Sequence, residues 1–293
     1  MELEFFIIDA FTSQRFEGAQ VAVFPQAEGL SAEQMQRLAR EMNLTESIFI
    51  LAPENKNSLA AIRLFSPQQE VFYAGHPVIA ALYAMHIRQP IVGKDYQLEV
   101  AGRELAIEVK GTGNDIKIHY ICAEAIRMDS YVPSARELAE FLNLEEKSIQ
   151  QEYAPMLVSR GEDYLMVPVK DQQALRSASF NQNKWLMSFV ASLASKIFVF
   201  CEADDTDADY CGRLLGKDIA DHEDPPVGPA APAFAAYLMH DKAEGKRNAV
   251  LQRGGGELRK SLLHLEIEKT ADATPLIKVG GSAVLMARGT IEI

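Results

Sequence analysis

The sequence predicts a mixed α/β fold (α+β in character) made of two related halves, each organised around one enclosed helix. Three observations carry this. First, Gly75-His76-Pro77 opens an unbroken apolar run over residues 78–85, and a helix that is apolar all round must be enclosed on every side. The run is about eight residues long, far short of the roughly 20 needed to cross a bilayer, so protein rather than lipid has to surround it. Second, residues 230–239 repeat the device after His222-Glu-Asp-Pro-Pro-Val-Gly228. Aligning Pro77 with Pro232 also aligns Ala80-Ala81 with Ala235-Ala236, and Leu82 with Tyr237. Third, strand patterns outnumber helix patterns without regular β-α-β alternation, which argues against a doubly wound parallel sheet.

Each element has a local cause. Residues 3–9 read as a strand, followed by a turn over 12–18 and a second strand over 20–24. Ser31 and Gln34 form a capping-box pair, and Met35, Leu38, Ala39 and Met42 then recur at helical spacing, predicting a helix that ends near Asn43. Residues 44–51 form a β-branched and aromatic strand with Glu46 at its start, and residues 60–65 form another. Ser66-Pro67 turns the chain into the Gly-His-Pro helix. Residues 96–109 alternate as a hairpin with its turn at Gly102-Arg103, and Gly111-Thr-Gly-Asn-Asp115 is the candidate linker between lobes 1–115 and 116–293. The last strands of the chain are left free to return to the first lobe.

In the second lobe residues 116–121 resume strand character, and Ser134 and Glu137 form another capping box before Leu138, Phe141 and Leu142. Residues 164–169, 196–202, 262–269 and 276–293 read as strands, the last broken by Gly280-Gly281 and Gly289. Asn143-Leu-Glu-Glu-Lys-Ser-Ile149 echoes Asn43-Leu-Thr-Glu-Ser-Ile48, a second sign of internal duplication.

Composition limits the function classes. With 293 residues, 48% of them apolar and 24% charged, the chain has ample core and the balance of an ordinary globular protein. A net charge of −12 argues against nucleic acid as a partner. No apolar window of about 20 residues and no signal-peptide pattern is present, so no membrane association is expected. Cys122, Cys201 and Cys211 are too few and too scattered for a disulfide framework, and a cytoplasmic location is the expectation.

Few residues offer chemistry. Glu46 sits between a helix and an apolar strand, where desolvation would tune a carboxyl for general acid/base work; the alternative is a solvated glutamate at a junction. His76 at a helix mouth could hold an anion or shuttle a proton, or it could merely bond to turn backbone. Glu223-Asp224 precedes the second enclosed helix and could cap it. No cysteine stands at either helix mouth, which counts against a two-thiol racemase, and no His, Cys or carboxylate spacing resembles a metal site. Gly254-Gly-Gly-Glu-Leu-Arg-Lys-Ser261 lacks the ending of a phosphate loop and reads as a hairpin turn, with Arg253, Arg259 and Lys260 as secondary anion contacts.

Asp9-Ala-Phe-Thr-Ser-Gln-Arg-Phe-Glu-Gly18, Asn43-Leu-Thr-Glu-Ser47, Arg63-Leu-Phe-Ser-Pro67, Ala74-Gly-His-Pro77, Glu223-Asp-Pro225 and Val279-Gly-Gly281 occur in the order seen in the PhzF-like (phenazine biosynthesis-like) isomerases. The chain resembles that family over nearly its whole length. The resemblance implies a diaminopimelate-epimerase-like fold, two pseudo-symmetric lobes that each wrap a curved, mostly antiparallel sheet or barrel around a central helix. It implies a cofactor-free homodimer acting on a small carboxylate-bearing substrate, with Glu46, His76 and Asp224 catalytic and Gly75, Gly228 and Pro229 against the substrate. Two segments depart from the family pattern. Where the family reads Pro-Ala-Thr-Gly-Ser the chain reads Pro225-Pro-Val-Gly-Pro229, losing both hydroxyls, and Gly-Asn-Pro becomes Gly18-Ala19-Gln20. The expected activity is proton transfer in an isomerase or epimerase; the alternative is a non-catalytic member of the fold that binds a small carboxylate or a protein.

Overall fold

The computed structural model describes residues 2–293 except 73–74, 92, 94, 114, 123–125, 130–132, 161, 205–206, 218, 220–227, 256–257 and 271–273. The first half of the chain forms β1 (Glu2–Ala10), β2 (Ala19–Phe24), α1 (Ala32–Met42), β3 (Glu46–Leu51), β4 (Ala60–Phe65), the short β5 (Glu70–Val71), α2 (His76–Arg88), β6 (Asp95–Val100), β7 (Arg103–Thr112) and β8 (Asp115–Cys122). The second forms β9 (Arg127–Asp129), α3 (Ala135–Leu142), β10 (Met156–Arg160), β11 (Glu162–Pro168), α4 (Gln172–Ser177), α5 (Gln182–Leu186), β12 (Lys196–Glu202), β13 (Tyr210–Gly216), α6 (Ala231–Tyr237), β14 (Gly245–Gly254), β15 (Lys260–Lys269) and β16 (Leu276–Gly281). The last strand, β17 (Ala283–Glu292), pairs with β1 at the other end of the sequence.

Among the described residues the 17 strands belong to one sheet, whose pairings do not close into a barrel. Following the pairings, the first lobe runs β17, β1, β2, β3, β4, β6, β7, β8. The second runs β9, β10, β11, β12, β13, β14, β15, β16, with parallel steps in the same two places. Parallel neighbours need a crossover. In the first lobe α1 bridges β2 to β3 and α2 bridges β4 to β6; in the second, α4 and α5 bridge β11 to β12 and α6 bridges β13 to β14. The lobes join edge to edge where β8 pairs with β16. This pairing supports a proposed first lobe of β1–β8 with β17 and a second of β9–β16; the expected division between residues 115 and 116 falls inside β8.

The sheet curls because each central helix is wrapped by both ends of its own half. α2 packs on β1, β2, β3, β8 and β17, and α6 on β10, β11, β15 and β16. Residues 78–84 of α2 and 231–237 of α6 are buried on every side, and both helices sit in one apolar cluster that spans the lobes. A second cluster lies beneath α3, α4 and α5, and a third beneath α1, where Phe24 stacks on Phe49 at 4.7 Å with Phe65 edge-on at 5.5 Å.

The Ser31–Gln34 capping box forms on α1, with Gln34 N–H donating to Ser31 Oγ at 3.2 Å and Ser31 N–H to Gln34 Oε1 at 2.9 Å. Replacing Ser31 with Ala should cost about 1 kcal/mol in urea unfolding with the slope unchanged.

Three sequence readings change. Gly111 pairs with Ile116 and Thr112 with Asp115, and Gly111 and Gly113 are in left-handed backbone, so the expected linker falls within the antiparallel β7–β8 pair. Asn43 and Asn143 both end a helix in left-handed backbone, at φ 49° and 51°, but the first lies between β2 and β3 and the second between β9 and β10. Their likeness is shared capping chemistry, and the duplication rests on strand order instead. Gly289 lies within β17 opposite Phe5, where a Cβ would meet the Phe5 ring, and breaks nothing.

The seam between the lobes contains a titratable group. His119 on β8 is buried against Gly280, with Glu266 Oε1 3.6 Å from its Nε2 and Lys110, Glu108 and His264 nearby. Burial outweighs the pull of Glu266 and depresses the imidazole pKa from 6.5 to about 4. The unfolded chain therefore takes up this proton first. Stability present above pH 6.5 should be lost as pH falls toward 4, by at most about 3 kcal/mol. Unfolding midpoints of His119→Gln across that range should lack this part of the slope.

Candidate active site

Glu46 is the first residue of β3 and faces Val21 at the start of the parallel β2–β3 ladder. Side chains alternate across a strand. Ile48 and Ile50 join the cluster around α2, whereas Phe49 joins the cluster under α1, so Glu46 shares the face toward α2. His76 opens α2 after Gly75, whose backbone is extended, and Pro77 follows where its missing N–H costs nothing. The two side chains meet inside the protein. Nε2 of His76 stands 2.7 Å from Oε2 of Glu46, with the residues 1% and 6% exposed. At that distance an imidazole and a carboxyl can share one proton, and burial strengthens the interaction by excluding water.

The remaining predicted site residues are distributed differently. Gly75 directly precedes His76. Gly228 and Pro229 stand at the head of α6 in the other lobe, and a Cβ at Gly228 would collide with Leu263, so backbone packs tightly there. Asp224 and Val227 lie outside the described residues. Ala19 opens β2, and Gln20 pairs with Asp9. Among the described residues, no group of three His, Cys, Asp or Glu side chains could hold a metal ion.

The three basic residues read as anion contacts have other work. Arg253 is fully buried on β14, its guanidinium over the Phe198 ring at 5.4 Å and its Nε–H donating to Gly212 O. Lys260 lies 3.5 Å from Asp207. Arg259 reaches across to the first lobe and meets Asp9 at 2.5 Å. Asp9 is the buried charge that reading by pattern missed. Its burial raises the carboxyl pKa, and Arg259 offsets this only in part. The available signal was an acid closing an apolar strand.

Openings of about 320 and 330 Å³ occur beside Tyr210 and Arg247 and beside Met128 and Lys269, and neither is lined by Glu46 or His76. The buried acid–imidazole pair is the stronger indicator, because a carboxyl and an imidazole within hydrogen-bond reach and shut away from water are the parts that general acid/base chemistry needs.

Comparison with known proteins identifies the family and the fold. The model of the phenazine biosynthesis-like protein family matches residues 8–289. The trans-2,3-dihydro-3-hydroxyanthranilate isomerase of Pseudomonas chlororaphis is 32% identical, over 98% of this chain and 98% of that protein. The crystal structure of the Bacillus anthracis phenazine biosynthesis protein of the PhzF family superposes with a TM-score of 0.85 at 23% identity, covering 100% of both chains. A probable proline racemase from Agrobacterium radiobacter shares the fold more distantly, with a TM-score of 0.54 at 13% identity over 99% of this chain and 93% of that one. With a family match over almost its entire length and an isomerase relative at this identity, the chain belongs to the phenazine biosynthesis-like protein family as an isomerase-type member.

Proposed function

We propose that the protein is a cofactor-independent isomerase that moves a proton on a small carboxylate-bearing substrate held between the lobes. Glu46 is the general acid/base, His76 shares and steers its proton, and Asp224 assists from the second lobe. The observation that carries this reading is the buried 2.7 Å contact between Glu46 and His76. A carboxylate there takes a proton from one carbon, the electron pair left behind spreads into the adjoining unsaturated system, and the carboxylic acid returns the proton to another carbon. One acid/base group completes the cycle with no net change in protons. The positive end of the α2 dipole faces the substrate carboxylate near Gly75, with Gly228 and Pro229 against its other side.

Single-base transfer is supported by what occupies the matching place in the other lobe. Lys196 opens the β11–β12 ladder opposite Tyr164, as Glu46 opens β2–β3, and its ammonium is tied to Glu162 at 2.8 Å. The second lobe thus repeats the position without repeating the acid. Cys122, Cys201 and Cys211 are buried in strands, and burial pushes the Cys201 thiol up to about 12, which disfavours its thiolate.

The relative's named reaction gives the first substrate to try. Incubated in D2O with trans-2,3-dihydro-3-hydroxyanthranilate, the protein should yield an isomerised product carrying solvent deuterium. The absence of the hydroxyls at positions 227 and 229 favours a second reading, a binder without turnover. Tight binding with no deuterium incorporation would decide for it. A cytoplasmic homodimer is the proposed form, to be checked by light scattering.

A further inference from the structure

We infer that Asp9 and Arg259 form a clasp between the lobes that positions Glu46 against the second lobe; this rests on the proposed site. The segment concerned, residues 9–18, is the longest family motif in the chain, and the proton-transfer reading gives it no role. Asp9 is wholly buried at the end of β1, and Oδ1 meets Nη2 of Arg259, from the other lobe, at 2.5 Å. The rest of Arg259 is spent on the same segment. Its Nε–H donates to Gly18 O and its Nη2 to Glu17 O, both at 2.9 Å.

The segment is bound to β15 by backbone as well. Gly18 N–H donates to Lys260 O at 2.9 Å, Leu262 N–H to Phe11 O at 2.8 Å, and Lys260 N–H to the Glu17 carboxylate. Thr12 N–H donates to Ser282 O at 3.2 Å.

The conformation so imposed is a costly one. Phe11 and Phe16 adopt φ of 62° and 70°, left-handed values that bulky residues avoid. Phe16 is 73% exposed, so burial of its ring does not hold it there. What does is its N–H, which donates to Asp9 Oδ2 at 3.2 Å. Strain of this kind persists only where the surroundings over-determine it, and it gathers at functional sites. The position in the sheet gives the function. Asp9 pairs with Gln20, and the next residue of β2, Val21, pairs with Glu46. The strands that carry the proposed base are therefore the ones held against β15. Asp9 and Arg259 are positioning residues, since neither is assigned contact with substrate.

The test uses Asp9→Asn, which removes the charge with little change of shape, and Arg259→Lys, which keeps a cation but loses the carbonyl contacts. In Asp9→Asn, amide exchange at Gly18, Lys260 and Leu262 should accelerate at least about tenfold, with β3 and α2 unchanged. KM for trans-2,3-dihydro-3-hydroxyanthranilate should rise about tenfold with kcat within about twofold, because a site assembled only part of the time binds more weakly by that fraction. Arg259→Lys should fall between Asp9→Asn and wild type. Unchanged exchange at these amides in both variants overturns the clasp. Uniform acceleration along the chain with KM unchanged also overturns it, since the pair would then serve stability alone. If the wild-type protein does not isomerise this compound, the proposed reaction fails, and the exchange pattern by itself decides the clasp.

Discussion

Glu46→Gln should fold as the wild-type protein does and lose about 10²- to 10⁴-fold in turnover, the usual contribution of a positioned acid/base. Glutamine has the same size and still hydrogen-bonds His76, so the buried contact survives while the exchangeable carboxyl proton is gone. The loss should appear equally in product formation and in deuterium wash-in, because both draw on that proton. Equal melting temperatures for variant and wild type would separate this from misfolding. Wash-in by Glu46→Gln at the wild-type rate would remove Glu46 from the mechanism and leave His76 or Asp224 as the base.

The largest stability effect should come from Phe234→Ala. Phe234 is fully buried on α6, with ring centroids of Phe200, Phe198, Tyr210 and Tyr237 at 4.9, 5.2, 5.4 and 6.2 Å. Its neighbours come from β12 and β13 as well as from α6, so they cannot all close over the space it leaves. Truncation of a buried Phe to Ala costs about 3–5 kcal/mol, a large part of the roughly 5–15 kcal/mol that holds a domain together. Denaturant unfolding followed by circular dichroism should show this loss, and Phe234→Leu should recover part of it. A cost below about 1 kcal/mol would mean that the aromatic cluster is not closely packed.

The sequence alone determined what short-range chemistry can specify. The capping boxes at Ser31 and Ser134, the strands that open at Glu46 and Lys196, and the enclosed helices after Pro77 and Pro232 all follow from residues within one or two turns of each other. The family resemblance named Glu46 and His76 together. Tertiary structure decided the remainder, because long-range pairing leaves little local trace. Nothing near Gly111 distinguishes an antiparallel strand pair from a linker; the pairing of Thr112 with Asp115 does. Nothing near Asn143 reveals that its echo of Asn43 falls at a different place in the strand order. The same holds for charge. Arg259 reads as a secondary anion contact beside a hairpin turn until the fold brings it to a buried acid 250 residues earlier in the chain. Local sequence fixes which groups exist and what backbone they prefer, whereas burial and partnership, which set their chemistry, depend on segments far away in the chain.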